Sequence, residues 1–330
     1  MTQVPGLYPL TFEPRFKERV WGGRRLATLY GKQLPDEVLV GESWEISDRP
    51  GDESVVSNGP LAGRTLRSIM QEQADNVLGE AAATDEGRFP LLCKILDARE
   101  RLSLQVHPPA RLEHLGDPKT EMWYIADADP GAELFVGLKP GATRQTLESA
   151  IGDGRVTDCL HRIAVQAGDA MFLPSGRVHA IGAGLVIFEI QQNSDTTFRV
   201  YDWDRLGLDG KPRALHTRES MASIDFDDIE PALVASRPRA ADSFTVRPLV
   251  RDPLFNIDVV EASTTATSRR QSARPRVLAC VRGRVTVQGG GMSHGVVAGQ
   301  FCLLPARMAY ASITAEAGAA FLVAEPGPAN

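Results

Sequence analysis

The chain is poor in several features that mark broad protein classes. Its 330 residues include only four cysteines, Cys93, Cys159, Cys280 and Cys302, and no two form a CxxC pair. That scatter does not match a disulfide scaffold and reads as four buried, reduced thiols. An excess of positive charge is also missing: 36 Lys and Arg stand against 42 Asp and Glu, for a net charge of −6. A nucleic-acid partner is therefore not expected, although a local basic pocket for a small anion is compatible, since a cleft focuses field whatever the net charge. No apolar run approaches the ~20 residues of a membrane span. The opening stretch MTQVPGLYPLTFEPRFKERVWGG has acids and prolines where a secretion leader has a basic start and an apolar core. These absences lead us to expect a cytoplasmic protein with no membrane partner. Oligomeric state is not legible.

What the chain does have is an ordinary globular balance, 43% hydrophobic and 24% charged, at a length that favours two domains over one core. Short apolar runs separated by Gly and Pro predict a mainly β protein with added short helices. Strands are expected at Ser43–Ser47, Ser54–Asn58 and Phe89–Ala98, and in LSLQVH, EMWYIA, ELFVGL, DAMFLP and GLVIFEIQ. Helical spacing occurs over Thr65–Ala82. Ala142–Ile163 reads as two short helices broken at Gly152–Gly154, and Thr217–Ile224 as another helix. A loose Pro/Ala-rich segment after about Phe226 reads as a linker and sets the expected domains at 1–225 and 226–330. Segments on either side of it repeat. AGDAMFLPSGRVHA (Ala167–Ala180) aligns without gaps on AGQFCLLPARMAYA (Ala298–Ala311), each position displaced by 131, so that His179 meets Tyr310. If one β-module was duplicated, the second copy has lost a metal-binding side chain.

The first module has such side chains to lose. In LSLQVHPP, Ser103, Gln105 and His107 alternate with Leu102, Leu104 and Val106, so they share one face of a strand. Pro108 ends the run and leaves the imidazole at the strand's end. Glu121 opens the next clear strand, and His179 follows the turn Pro174-Ser175-Gly176. Two imidazoles and a carboxylate suffice to hold a divalent ion with open positions, and Gln105 adds a carbonyl oxygen. His114, His161, His216 and His294 lack such a setting, His294 in a glycine-rich turn. Trp123 shares strand parity with Glu121. Trp44, like Trp123, is a candidate for the border of the cavity, and Lys94 sits in an apolar run, where a buried ammonium needs a partner.

At these residues the chain resembles a cupin: GDAMFLPSGRVH fits the second cupin motif, and QVH with Glu121 stands in for the first. Gln105 in place of the first histidine, together with GESWEIS, KTEMWY, FPLLCKILDARERLSLQVHP and QQNSDTTFRVYDWDR, resembles the type I mannose-6-phosphate isomerases in their short bacterial form. The resemblance covers nearly all of the first 220 residues. It implies a double barrel: a metal-binding catalytic cupin domain with helical insertions, then a degenerate cupin-like domain without metal ligands.

It also implies an aldose–ketose isomerase that interconverts mannose 6-phosphate and fructose 6-phosphate through an enediol. One Zn2+ per chain would be held by Gln105, His107, Glu121 and His179. Arg199 falls on the family's active-site arginine, and Ser103 and Lys119 on substrate-pocket positions. Asp117-Pro118 departs from the family's usual approach to that lysine.

Such a reaction moves a proton between C1 and C2. A divalent Lewis acid beside the two oxygens suits it, as does a guanidinium that keeps its charge. The phosphate needs a further cation, for which Arg205, Lys211 and Arg213 are candidates. The general base stays open among Lys119, the neighbourhood of Glu121, a metal-bound water and an Asp such as Asp202. Two other readings remain: a non-catalytic zinc cupin that senses a sugar phosphate, and a metal-dependent cupin of other chemistry such as an oxygenase, since fold does not settle function.

Overall fold

The computed structural model describes residues 6–308 and 310–329. Eleven strands precede the linker: β1 (Arg15–Gly23), β2 (Val40–Ile46), β3 (Leu91–Ala98), β4 (Leu104–Val106), β5 (Glu121–Ala128), β6 (Glu133–Leu138), β7 (Leu160–Ala164), β8 (Ala170–Leu173), β9 (His179–Ile181), β10 (Leu185–Gln192) and β11 (Phe198–Tyr201). They form two sheets, one in the order β1-β2-β3-β10-β5-β8 and one in the order β11-β4-β9-β6-β7.

Ten more follow: β12 (Arg239–Ala241), β13 (Phe244–Arg251), β14 (Phe255–Glu261), β15 (Ala266–Arg270), β16 (Arg276–Arg282), β17 (Arg284–Gly289), β18 (Met292–Val297), β19 (Phe301–Leu304), β20 (Ala311–Ala315) and β21 (Ala320–Pro326). Their sheets run β12-β13-β14-β21-β16-β19 and β15-β20-β17-β18. Raising each strand of β3-β10-β5-β8 and β4-β9-β6-β7 by eleven gives β14-β21-β16-β19 and β15-β20-β17-β18. The repeat seen around Gly168 and Gly299 therefore extends over eight strands.

Two compact units result. Among the described residues, one holds Phe16–Ser43 and Ile95–Ala235; the other holds 6–15, Trp44–Lys94 and those from Ser236 to 329. This differs from the expected division into 1–225 and 226–330. Backbone pairing explains the difference. Leu10 exchanges two hydrogen bonds with Leu303, at 2.9 and 2.8 Å, and Ala81 bridges to Pro328, so early segments complete the late unit. The presumed linker is partly tied down as well, since Val234 N–H donates to the Ala170 carbonyl at 2.9 Å.

The helices are short, as expected: α1 (Arg25–Tyr30), α2 (Leu66–Leu78), α3 (Arg144–Gly152) and α4 (Thr217–Ser223). Thr65 and Thr143 cap α2 and α3 by accepting backbone N–H groups. One expectation fails: after Gly152–Gly154 comes a single 3-10 turn, Val156–Asp158, and then the strand β7. Residues 160–164 alternate in burial and pair with β6. That partner is distant in sequence and outweighs the local helical spacing. Ser54–Asn58 likewise makes isolated bridges in place of a full strand.

The strand that carries the candidate ligands has two different faces. Leu104 and Val106, both fully buried, pack with Phe198, Val200, Leu147 and Met221 in a core between the five-stranded sheet and helices α3 and α4. Burying each such side chain stabilises by roughly 1.5–3 kcal/mol. Leu134, Val136 and Ile181 of neighbouring strands face the other way, into a second core with Trp123, Ile125 and Leu173. Gln105 and His179, on that inner side, are cross-strand partners. The apolar face of β4 thus turns outward beneath helices, and its polar face turns inward.

Candidate metal centre

Each imidazole is oriented by a backbone carbonyl. His107 Nδ1 lies 2.8 Å from the Thr196 carbonyl, and His179 Nδ1 lies 2.9 Å from the Arg177 carbonyl. A carbonyl can only accept, so both Nδ1 atoms carry the proton and both Nε2 atoms present bare lone pairs. Those lone pairs converge on one carboxylate: His107 Nε2 is 3.3 Å from Glu121 Oε1, and His179 Nε2 is 3.6 Å from Oε2. Local geometry holds this in place. Gly176, at φ +97°, makes the turn between β8 and β9 and donates its N–H to the His107 carbonyl at 2.9 Å; that backbone conformation favours glycine.

The three side chains are 0–1% exposed. His107 Nε2 and Glu121 Oε2 have no hydrogen-bond partner among the described residues, and Glu121 Oε1 meets the Lys119 ammonium. Orphaned acceptors this deep are costly, and an ion among them would satisfy them together. One nitrogen or oxygen from each residue lies within 4.8 Å of the others, and no other such group is found among the described residues. Gln105 stands at the edge, its amide Nε2 3.2 Å from His179 Nε2. Turning that amide over would present its carbonyl oxygen there instead.

The electrostatics keep these groups in ligand form. Burial alone would raise the Glu121 carboxyl, but the Lys119 ammonium holds it well below the usual carboxylate range. Burial pushes His179 down to about 3, and it lowers His107 with help from Lys119. Lys119 Nζ lies 2.7 Å from Glu121 Oε1. Burial disfavours this ammonium, but Glu121 and then Glu189 outweigh it and leave Lys119 above its ordinary value. The Asp117-Pro118 approach does not keep Lys119 away. Its N–H donates to Ser175 Oγ at 2.9 Å, and Ser194 Oγ ties the Asp117 carbonyl at 3.0 Å.

The other candidates divide. Ser103 is buried one residue before β4. Arg199 lies on β11 directly opposite Gln105, so the two share the inner face. Arg205 does not join the group. It is tied to Asp202 and to the Arg101 carbonyl and lines a cavity of about 550 Å³ with Glu100, Arg101, Glu133 and Trp203. These residues lie beyond the end of β4 opposite His107, because Arg101 precedes that strand and His107 follows it. Lys211 is exposed in the turn closed by the Leu206–Pro212 bridge. Arg213 clamps Asp202 through two hydrogen bonds.

Trp123 faces inward as its parity predicts, with its ring edge-on to His179 at 5.2 Å. Trp44 and Lys94 meet each other in the other unit, Nζ 5.1 Å from the ring centre. His294 lies half-buried on β18 and not in a turn.

The sequence reading missed Glu189, which is 4% exposed, receives the Trp123 indole N–H at 2.9 Å and faces Lys119 electrostatically. A signal was present: a carboxylate inside the apolar run GLVIFEIQ has to find partners.

Comparison with known proteins agrees with this architecture. A family model described as the catalytic domain of type I phosphomannose isomerase matches residues 10–144. The chain is 37% identical over 302 residues to the mannose-6-phosphate isomerase ManA of Bacillus subtilis, covering 90% of this chain and 93% of that one. It is 37% identical over 303 residues to the mannose-6-phosphate isomerase of Streptococcus mutans, covering 90% and 92%. A crystal structure of the mannose 6-phosphate isomerase from Bacillus subtilis superposes with a TM-score of 0.87 at 31% identity, over 96% of this chain and 99% of that one.

Proposed function

Since the chain belongs to the type I phosphomannose isomerases, aldose–ketose isomerases acting on mannose 6-phosphate, we propose that it works with one zinc ion held by His107, Glu121, His179 and the Gln105 carbonyl, and that the reaction passes through an enediol. The observation that carries this reading is the convergence of the unprotonated Nε2 atoms of His107 and His179 on the buried carboxylate of Glu121. Zinc suits mixed nitrogen and oxygen donors and brings no redox chemistry to a reducing sugar. When bound, it supplies a Lewis acid for the oxygens at C1 and C2.

The chain's own residues do the rest. The Thr196 and Arg177 carbonyls hold the two imidazoles in the tautomer a metal needs. Lys119 keeps Glu121 ionised and offers N–H donors to a substrate oxygen. Arg199 keeps its charge at working pH and stabilises negative charge on the enediol oxygens through several donors. Ser103 lines the substrate side of the same strand face. The four buried free cysteines support a cytoplasmic setting.

The test offers mannose 6-phosphate to purified protein and follows fructose 6-phosphate in a coupled assay, with metal content measured in parallel. Chelation should abolish turnover, zinc should restore it, and metal analysis should find one ion per chain. Full activity in metal-free protein would overturn the reading.

A further inference from the structure

The strand carrying Arg199 has an unusual means of support. In the order β11-β4-β9-β6-β7, β11 is an edge strand, and an edge strand has backbone groups on one side with no ladder to join. Arg199 pairs with Gln105 across to β4, yet both of its own backbone groups are bound elsewhere. Its carbonyl accepts the His216 backbone N–H at 2.8 Å, and its N–H donates to His216 Nδ1 at 3.0 Å. Arg199 and Gln105 are therefore a non-hydrogen-bonded antiparallel pair, the kind that brings side chains closest together.

On the outer side, His216 plays the part of a strand residue, with its imidazole supplying the acceptor that a backbone carbonyl would otherwise provide. The same segment reaches the side chain, because Arg199 Nη1 donates to the Ala214 carbonyl at 2.8 Å. Arg213, clamped on buried Asp202, anchors this segment, and the imidazole stacks at a tilt against Phe198, ring centres 6.1 Å apart.

We propose that His216 is a positioning residue for Arg199, acting through the hydrogen bond its Nδ1 accepts from the Arg199 backbone. The proposal rests on the reading of Arg199 as an active-site cation. Arg199 Nε is buried without a hydrogen-bond partner among the described residues, so the guanidinium is held from one corner and keeps donors to spare for a ligand. If β11 shifts, the guanidinium shifts with it, and misplacing a charge-stabilising group lowers turnover more than binding.

The test uses full-length, zinc-supplemented H216F, H216L and H216N, each alone and combined with R199A. It measures kcat and KM for mannose 6-phosphate, zinc content and thermal midpoint. Phe keeps the ring against Phe198 without the acceptor, Leu gives a second acceptor-free variant, and Asn places Oδ1 close to the position of Nδ1. H216F and H216L should lose about tenfold in kcat, the effect of roughly one hydrogen bond, with zinc content unchanged. H216N should stay within about twofold of wild type. In the R199A background none of the three should cause a further loss.

Acceptor-free variants that keep wild-type kcat would overturn the proposal. So would equal losses in H216N and H216F, or a loss that persists without Arg199. If R199A itself turns over like wild type, the reading of Arg199 fails first, which is a different result from an impaired R199A beside an unimpaired H216F.

Discussion

The two eight-stranded frames, β3–β10 and β14–β21, share one strand order, and the register shows what differs between them. Glu121 faces Leu173 across β5 and β8; Arg276 faces Leu304 across β16 and β19. Leu173 and Leu304 correspond in the 131-residue repeat, so Arg276 stands where Glu121 stands. By the same register Leu278 replaces Trp123, and Val323, paired with Leu278, replaces Glu189, which is paired with Trp123. Tyr310 takes the place of His179 and is 40% exposed, with the Arg269 guanidinium over its ring. The second frame keeps its topology with Arg276, Leu278, Val323 and Tyr310 at these places. Strand order thus follows from apolar faces and turns, and the buried His–Glu–Lys group of the first frame is not needed to form it. Buried charge is expensive, and its presence in one frame marks that frame as the chemical one.

Four measurements would break or sharpen this contrast. The largest effect is expected from H179Y, which carries the second frame's residue into the first. Turnover should fall by about a thousandfold or more, the scale of several kcal/mol of charge stabilisation, and zinc content should fall with it. An active, zinc-replete H179Y would erase the distinction between the frames.

Next is K119M. Removing one partner of a buried ion pair leaves the other uncompensated, at a cost of about 3 kcal/mol, so the midpoint of chemical denaturation of metal-free protein should drop by that equivalent. An unchanged midpoint would mean Lys119 does not hold Glu121.

Acid gives a smaller and graded effect. In metal-free protein the His179 pKa is lowered from 6.5 to about 3 by burial, so between these values the unfolded chain binds more protons than the folded one. Stability should therefore be lost as pH falls below about 6.5, by about 1.4 kcal/mol per pH unit for each such proton. The pH slope across that window should be shallower in H179Y, with His107 supplying part of what remains, and a slope unchanged by the substitution would implicate other groups. The smallest effect is expected from H294A and Y310F, which should leave zinc content and turnover within about twofold of wild type.

Much of the site was legible because alternation and punctuation act locally. The parity of Ser103, Gln105 and His107, the stop at Pro108 and the turn before His179 all follow from adjacent residues. Lys119 was reached only through the family resemblance, since its role depends on Glu121 and Glu189 folding around it. Residues 160–164 were misread because their pairing with β6, including the Glu133–Arg162 pair, lies outside any local window. His216 was passed over for a related reason: its partner is the backbone of Arg199, and no side-chain motif records such a bond. Arg205 shows another limit of a local reading. A charged turn offers several cations as phosphate anchors, and only the fold shows that Asp202 pairs with Arg205 and Arg213.

The discontinuity of the two units bears on the order of events during synthesis, when a chain emerges from its N-terminus. Residues that cluster with His107, Glu121 and His179 are all available once Ala235 has left the ribosome. The segments around Leu10 and Ala81 have to wait for Leu303 and Pro328, which follow Ala235 in the chain. Those early segments thus find their partners late, and the unit that carries the His–Glu–His group can close while the other is still being made.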